Sequence, residues 1–233
     1  MSPRPFERPA TILLPEADGL APGSSLDGLW LPPRPIAQAG EGADDDDAAA
    51  SPPPRGGAIV APPHPLMGGS LDSPVVTEVA LAASDAGYCA LRFNWRGIGA
   101  SAGTPSGEVE DADADYRAAL DFMQESVEGS LLACGYSWGA LAAARIGVGH
   151  PRVRKLVLVA PPPAMLDAAA LGDFGRPLLV IAGDRDEYVP LDALREALAK
   201  VDAHELVVLE GVDHFFMSGL EAVGRSVRGW LDD

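Results

Sequence analysis

The sequence predicts an α/β fold, with helices covering both faces of one mainly parallel, doubly wound β-sheet. From residue 57 onward, short runs rich in Val, Ile and Leu alternate with longer helical stretches, a pattern typical of strands buried on both faces. A length of 233 residues and a hydrophobic content of 47% allow one sizeable core around one sheet. We therefore expect a single domain over residues 1–233.

The first part of the chain has weaker signals. Ala10–Leu14 and Leu26–Leu31 are short apolar segments broken by Gly and Pro, which favours two antiparallel edge strands. Residues 33–56 then combine Pro, Gly and Ala with the acidic run Asp44–Asp47, and they offer almost nothing to bury. Like charges in such a run repel one another, so we predict a disordered surface loop and no metal site there.

The remaining elements follow in a regular order that brings the expected sheet to about eight strands. Ser73 is the expected N-cap of the first helix, with Pro74 at its first position. The predicted strands are Gly57–Ala61, Tyr88–Phe93, Leu131–Gly135, Lys155–Ala160, Pro177–Ala182 and Glu205–Leu209. The predicted helices are Pro74–Ala86, Glu108–Gln124, the stretch ending at Gly147, Leu191–Lys200 and Leu220–Leu231.

Charge and cysteine content narrow the possible partners and the location. The 34 acidic residues against 17 Lys and Arg give a net charge of −17, which disfavours binding to nucleic acid or to an anionic membrane surface. Cys89 and Cys134 each lie in an apolar run, as buried free thiols do. We find neither a signal peptide nor a run of roughly 20 apolar residues, so we expect a cytoplasmic protein.

One pentapeptide carries a chemical signal. Gly135-Tyr136-Ser137-Trp138-Gly139 spells G-x-S-x-G between an apolar run and a run of small residues. When a strand turns sharply into a helix, small flanking residues let the apex serine project outward, and the helix N-terminus offers N–H groups to an oxyanion. The alternative is a glycine-flanked serine in an ordinary turn.

Two further side-chain types follow later strands in an order that suits nucleophilic catalysis. A serine needs a histidine base, and a carboxylate must hold that histidine in one tautomer. An aspartate at 184 or 186 follows the predicted strand at Pro177–Ala182, and His214 follows the last strand. Ser, then acid, then His is the chain order of α/β-hydrolases. We do not expect Asp213 to be the partner, because neighbouring side chains in a loop usually diverge. His150 and His204 are expected to be ordinary surface or core histidines.

On these residues the chain resembles the α/β-hydrolase superfamily, and within it the small bacterial serine carboxylesterases related to the dienelactone-hydrolase group. The resemblance implies a triad of Ser137, Asp186 and His214, with Asp184 as the fallback acid, and hydrolysis of a small-molecule ester or thioester without a cofactor. Dienelactone hydrolases carry cysteine at the elbow, and related esterases often have histidine where this chain has Pro62, so the particular substrate does not carry over. The matching motifs are His64-Pro65-Leu66-Met67-Gly68-Gly69, Phe93-Asn94-Trp95-Arg96-Gly97, Gly135–Gly139, Gly183–Asp186 with Val189-Pro190, and Asp213-His214-Phe215-Phe216.

An oxyanion hole needs two N–H donors. The backbone of Trp138 is the first candidate. Pro62, Pro63 and Pro65 have no N–H, so only His64 or Leu66 can supply the second donor from the front of that loop. Position within the superfamily favours His64.

The surroundings of the site are less defined by the sequence. Residues 94–99 lack the spacing of a phosphate-binding loop, so we expect a structural role, with Arg96 anchoring the loop through backbone hydrogen bonds. A short connection from Ala160 to Pro177 leaves no large cap, which predicts an open site for short acyl chains or a bulkier leaving group. A non-catalytic binding protein with the same fold is the alternative. Candidate pocket walls are Met67, Trp95, Trp138, Met165, Phe215 and Phe216.

Overall fold

Eight strands form one sheet in the computed structural model, which describes residues 6–16, 20–34 and 53–232. The strand order is β1-β2-β4-β3-β5-β6-β7-β8. The pairs β1–β2 and β2–β4 are antiparallel and all other pairs are parallel. The strands are β1 Arg8–Leu13, β2 Ser25–Leu31, β3 Gly56–Ala61, β4 Cys89–Phe93, β5 Ser130–Tyr136, β6 Val153–Val159, β7 Leu178–Gly183 and β8 His204–Leu209.

Helices cover both faces of this sheet, as the sequence predicts. Helix α1 packs against α6, and α2 packs against α3. None of the helices in the described ranges is long and apolar enough to cross a bilayer. The helices are α1 Pro74–Asp85, α2 Val109–Ser126, α3 Trp138–Gly149, α4 Ala168–Phe174, α5 Leu191–Leu198 and α6 Leu220–Asp232, with 3-10 turns at Pro65–Met67 and Pro163–Met165.

The central strands are the most buried elements of the fold. Every residue of β3, β4 and β7 is buried, in keeping with their near-continuous apolar sequence and their position between two helical layers. The edge strands β1 and β8 are less buried, and each has residues exposed to solvent. Cys89 and Cys134 are free and buried within β4 and β5.

Three local predictions need correction. Strand β2 is not an edge strand, because it lies between β1 and β4. Ser73 stands at the N-cap of α1, but its hydroxyl makes no capping hydrogen bond. The connection after β6 contains the short helix α4, which begins after Asp167, whose carboxylate accepts from the amides of Ala169 and Ala170 at 3.1 and 3.0 Å.

The predicted disordered loop at 33–56 falls mostly on residues 35–52, which lie outside the described residues. Its margins belong to the fold. Arg34 N donates to Ser84 O, and Arg55 N donates to Gly87 O, each at 2.9 Å. Gly56 already begins β3, with a φ of 149°, and a side chain there would overlap the carbonyl of Ser130. The loop therefore ends before residue 56.

Candidate active site

Ser137 stands at the apex of a sharp turn from β5 into α3. Its φ of 55° is in the left-handed region, which costs a non-glycine residue conformational energy. The positions two before and two after Ser137 must be glycine, because neither has room for a larger side chain. A side chain at Gly135 would overlap the Gly139 carbonyl, and one at Gly139 would overlap the carbonyls of Ala61 and Pro62. The turn thus holds the serine in the geometry of a nucleophile elbow.

The structure brings together the three side chains that the sequence predicts for a triad. Ser137 Oγ lies 3.0 Å from His214 Nε2, and His214 Nδ1 lies 2.7 Å from Asp186 Oδ2. Asp186 and His214 follow different strands. Both are buried, with 6% and 8% of their surfaces exposed. This serine, imidazole and carboxylate form one continuous hydrogen-bonded chain.

Asp186, rather than Asp184, contacts the imidazole. The second carboxylate oxygen of Asp186 accepts from the amides of Tyr188 and Val189 at 2.8 and 2.9 Å, so this buried carboxylate is fully hydrogen-bonded. Asp184 instead accepts from the amide of Gly211 at 2.6 Å and stabilises the turn there. Asp213 accepts from the amide of Met217 at 3.3 Å.

The loop between β3 and α1 approaches the elbow with His64. The imidazole stacks obliquely on the Trp138 ring, with centroids 4.7 Å apart. Its Nδ1 accepts the Leu66 amide at 3.2 Å, which engages one of the two candidate oxyanion donors. Within the described residues, the His64 amide donates to no protein acceptor. Burial lowers the pKa of His64, which favours the neutral ring that this acceptor role needs.

Two backbone donors therefore remain at the mouth of the elbow. Trp138 is the first residue of α3, where an amide has no partner inside the helix. The His64 loop folds back tightly, because Gly68 has a φ of 83° and a side chain at Gly69 would overlap the Pro63 carbonyl. Within the described residues neither of these amides has a protein acceptor, and both residues line the same cavity as Ser137.

A cavity of about 490 Å³ opens above Ser137. Its lining within the described residues contains no Asp, Glu, Lys or Arg side chain. The lining residues come from three parts of the chain: Pro63, His64, Met67, Gly68, Gly69, Ser73 and Pro74; Tyr136, Ser137 and Trp138; and Pro162, Tyr188, His214, Phe215 and Met217.

Half of the predicted walls lie elsewhere. Met67, Trp138 and Phe215 line the cavity as expected. Trp95 is only 1% exposed and lies behind the His64 loop, and Phe216 is buried against Tyr136. Met165 lines a different cavity between α3 and α4.

The sequence analysis did not identify Tyr188, Met217 and Pro162 as lining residues. Tyr188 follows β7, as Asp186 does; Met217 follows β8, as His214 does; and Pro162 follows β6. Tyr188 is the most informative, because its ring lies 4.8 Å from the His214 ring. Its position two residues after Asp186 is the signal that could have identified it. In the described part of the chain, no group of three or more His, Cys, Asp or Glu side chains is placed to hold a metal ion.

The other singled-out side chains have structural contacts. Arg96 anchors its loop mainly through carboxylates rather than through backbone bonds, since its guanidinium contacts Asp115 at 3.0 and 2.8 Å and also Asp111. One backbone bond, to Asp111 O at 3.3 Å, is added. His150 accepts the Arg152 amide, and His204 contacts the Val201 carbonyl, both away from Ser137.

Known proteins share this architecture. A family model described as "Serine aminopeptidase, S33" matches residues 68–168. An uncharacterised protein of Rickettsia prowazekii is 30% identical over 183 residues, which cover 72% of this chain and 75% of that protein. A solved α/β serine hydrolase homologue from Coxiella burnetii is 27% identical with a TM-score of 0.76, over 95% of this chain and 97% of that one.

The chain belongs to the α/β-hydrolase superfamily. Within this superfamily, a solved serine hydrolase without a lid from Xanthomonas campestris is 27% identical, with a TM-score of 0.73, over 100% of this chain and 99% of the other. The present chain likewise has only a 3-10 turn and the seven-residue α4 between β6 and β7, so the described residues form no large cap there. The superfamily and the capless architecture predicted from the sequence are both confirmed.

Proposed function

We propose that this α/β-hydrolase cleaves carboxylic esters through an acyl-enzyme on Ser137. The observation that carries the proposal is the hydrogen-bonded chain from Ser137 Oγ through His214 to Asp186. A serine hydroxyl is a poor nucleophile at neutral pH, and this arrangement provides the base that it needs. Asp186 would hold the proton on Nδ1, leaving the Nε2 lone pair directed at the serine.

Acylation would proceed in two steps. Ser137 Oγ attacks the ester carbonyl carbon while its proton passes to His214 Nε2, and the carbonyl oxygen becomes an oxyanion. The amides of His64 and Trp138 would donate to that oxyanion. The intermediate then collapses as the bond to the alcohol oxygen breaks, and the alcohol leaves with the proton from His214.

Deacylation would repeat the sequence with water. His214 Nε2 takes a proton from the water as its oxygen attacks the acyl carbon, and the same two amides stabilise the second oxyanion. The bond to Ser137 Oγ breaks, and the serine recovers its proton from His214. A carboxylic acid is released and no cofactor takes part.

The lining of the cavity supports an uncharged ester as the substrate. An aminopeptidase has to bind an α-ammonium group, but no carboxylate side chain lines the cavity within the described residues. An acyl group carried on a phosphorylated leaving group would need cations, and none lines the cavity there either. The net charge of −17 also opposes anionic substrates. A neutral thioester would use the same steps.

The size of the cavity supports a substrate larger than an acetate ester of a small alcohol. Its volume of about 490 Å³ falls in the range of about 300–1,000 Å³ that small-molecule sites occupy. Met67 and Met217 stand at the mouth with most of their surfaces exposed, and flexible thioether side chains adapt to irregular apolar groups.

We propose the cytoplasm as the compartment of this protein, because both cysteines are free rather than bridged.

Turnover of p-nitrophenyl acetate, butyrate and octanoate, together with labelling by a fluorophosphonate probe, tests the proposal. We expect hydrolysis of all three esters and labelling at Ser137, both abolished in Ser137→Ala while the melting temperature stays within a few degrees. A folded protein that neither turns over the esters nor reacts with the probe would favour the non-catalytic alternative. Full activity in Ser137→Ala would overturn the role of the serine.

A further inference from the structure

The motif Asn94-Trp95-Arg96, which follows β4, contacts the loop that carries His64. The indole N–H of Trp95 donates to the carbonyl oxygens of Pro62 at 3.2 Å and Pro63 at 2.9 Å. These are the two residues immediately before His64 in the chain. Trp95 is 1% exposed and does not line the cavity, so it cannot itself touch a substrate.

The composition of the loop explains why an outside donor is needed. Pro62, Pro63 and Pro65 have no N–H group, so these three residues can form hydrogen bonds only through their carbonyl oxygens. The His64 carbonyl is already engaged inside the loop, because it accepts the amides of Met67 and Gly69 at 3.0 Å each. The carbonyls of Pro62 and Pro63 are therefore held from below by the Trp95 indole.

Peptide geometry links this contact to the candidate oxyanion donor. The Pro63 carbonyl and the His64 N–H belong to one peptide unit, and no peptide bond in the described chain is cis. In a planar trans peptide the C=O and N–H groups point in opposite directions. A Pro63 carbonyl bonded to the indole thus directs the His64 N–H away from Trp95. A hydrogen bond to a carbonyl also polarises its own amide, which strengthens the N–H as a donor.

The residues around Trp95 keep it in place. Asn94 Oδ1 accepts the Leu71 amide at 2.8 Å. The adjacent side chains of Asn94 and Trp95 therefore form hydrogen bonds with opposite ends of the loop. Arg96 ties the same segment to α2 through Asp115, at 2.8 Å from its backbone N–H. The Phe93 ring packs edge-on against the Trp95 ring at 5.1 Å. The segment is thus anchored to α2, to β4 and to the far end of the loop.

We propose that Trp95 is a positioning residue for the oxyanion hole, whose indole N–H fixes the Pro63–His64 peptide so that the His64 amide faces the reacting carbonyl oxygen. The proposal rests on the proposed function, because an oxyanion forms only if Ser137 acts as the nucleophile. It gives a chemical role to a motif that the sequence suggests is only structural.

Trp95→Phe tests this role, with Trp30→Phe as the matched control. Trp30 lies on β2, packs against Phe122 and lines a separate cavity with residues of β1 and α2. Loss of one oxyanion donor typically lowers kcat about 10²- to 10³-fold, and misalignment of a donor should cost less, about 10- to 100-fold. We expect that loss in kcat for p-nitrophenyl butyrate, with KM within about twofold. The affinity for a trifluoromethyl ketone, which forms a tetrahedral adduct with an oxyanion, should fall in parallel.

A second variant separates the hydrogen bond from the packing of the ring. Replacing the indole at position 95 by benzothiophene keeps the shape and removes the N–H, so it should reproduce the loss in kcat even if Trp95→Phe folds poorly. A folded benzothiophene variant with kcat and ketone affinity within about twofold of the unchanged protein overturns the proposal, as does a change confined to KM. If the unchanged protein neither turns over esters nor reacts with a fluorophosphonate, the proposed function fails and takes this inference with it.

Discussion

Tyr136, the residue immediately before Ser137, donates its hydroxyl to the backbone carbonyl oxygen of His214 at 2.7 Å. The bond joins the elbow directly to the loop after β8, so it fixes the backbone from which the imidazole projects. Burial raises the pKa of Tyr136 above its usual value, and the carboxylates of Asp186 and Asp213 add to the shift. The hydroxyl therefore keeps the proton that it donates well into the alkaline range.

Tyr136→Phe should lower kcat on p-nitrophenyl butyrate by about fivefold to tenfold, with KM little changed. A hydrogen bond of this kind contributes about 1 kcal/mol, and here it maintains the alignment of His214 with Ser137. Tyr116→Phe is the matched control, since it also removes a buried hydroxyl, one that donates to the carbonyls of Ile59 and Cys134 at 3.3 Å. Both variants should lose stability in a denaturant titration, but only Tyr136→Phe should lose kcat. Equal kcat values in the two variants would contradict the alignment role.

Asp184 and Asp186 lie in the same loop, so replacing each in turn tests which of them orients His214. Asp186→Asn should lower kcat by about 10⁴-fold, as the same change does in other Ser-His-Asp enzymes, because an amide favours the wrong imidazole tautomer. Asp184→Asn keeps an oxygen that can accept from the Gly211 amide, so its kcat should stay within about twofold. Steady-state kinetics on the same ester compare the two variants. The opposite ranking would move the acid to Asp184.

Much of the site could be predicted because parallel strands bring their carboxyl ends to one edge of a sheet. Ser137 and His214 each follow an apolar run, and the run alone places them near that edge. The prolines before and after His64 limit the candidate donors, because the lack of an N–H group follows from residue type alone. These inferences depend on local sequence and on a general property of the fold, and the catalytic roles stay predictions.

The rest depends on contacts between distant parts of the chain. The bonds from Tyr136 to His214 and from Trp95 to Pro63 leave no local pattern, because a buried aromatic side chain looks like any other core residue in the sequence. The position of β2 inside the sheet is set by its pairing with β4, which is also non-local. Helix α4 has a local signal in Asp167 and the alanines after it, but the three preceding prolines conceal it.

The burial of the Cys89 and Cys134 thiols makes the free energy of unfolding depend on pH in the alkaline range. Burial raises the pKa of Cys89 to about 11 and that of Cys134 further, whereas the unfolded thiols ionise near 9.0. The folded state thus retains protons that the unfolded state loses, so the free energy of unfolding falls as pH rises above the unfolded value. For the fully buried Cys134, the loss between pH about 8 and about 10 is up to about 1.4 kcal/mol.

Urea titrations at those two pH values, with Cys134→Ala beside the unchanged protein, measure this contribution. Only the pH-dependent difference is compared, since the substitution also leaves a small void in β5. The variant should lose about 1 kcal/mol less stability on going to the higher pH. An unchanged difference would show that the thiol ionises equally in both states.

The second glycine of the elbow predicts a coupling between the turn and the His64 loop. A methyl group at Gly139 would overlap the carbonyls of Ala61 and Pro62, and both are backbone atoms that can yield only if the loop moves away from α3. Gly139→Ala should therefore destabilise the fold by about 2 kcal/mol or more and lower kcat together with affinity for the trifluoromethyl ketone.

Gly229 provides the control for this substitution. It lies in the exposed last turns of α6, where an added methyl group meets nothing within 4 Å. Gly229→Ala should raise stability by about 0.5–1 kcal/mol through helix propensity alone and leave kcat unchanged. Thermal unfolding and ester kinetics on both variants decide the matter, because a Gly139→Ala protein with normal turnover would mean that the loop is not held against the elbow.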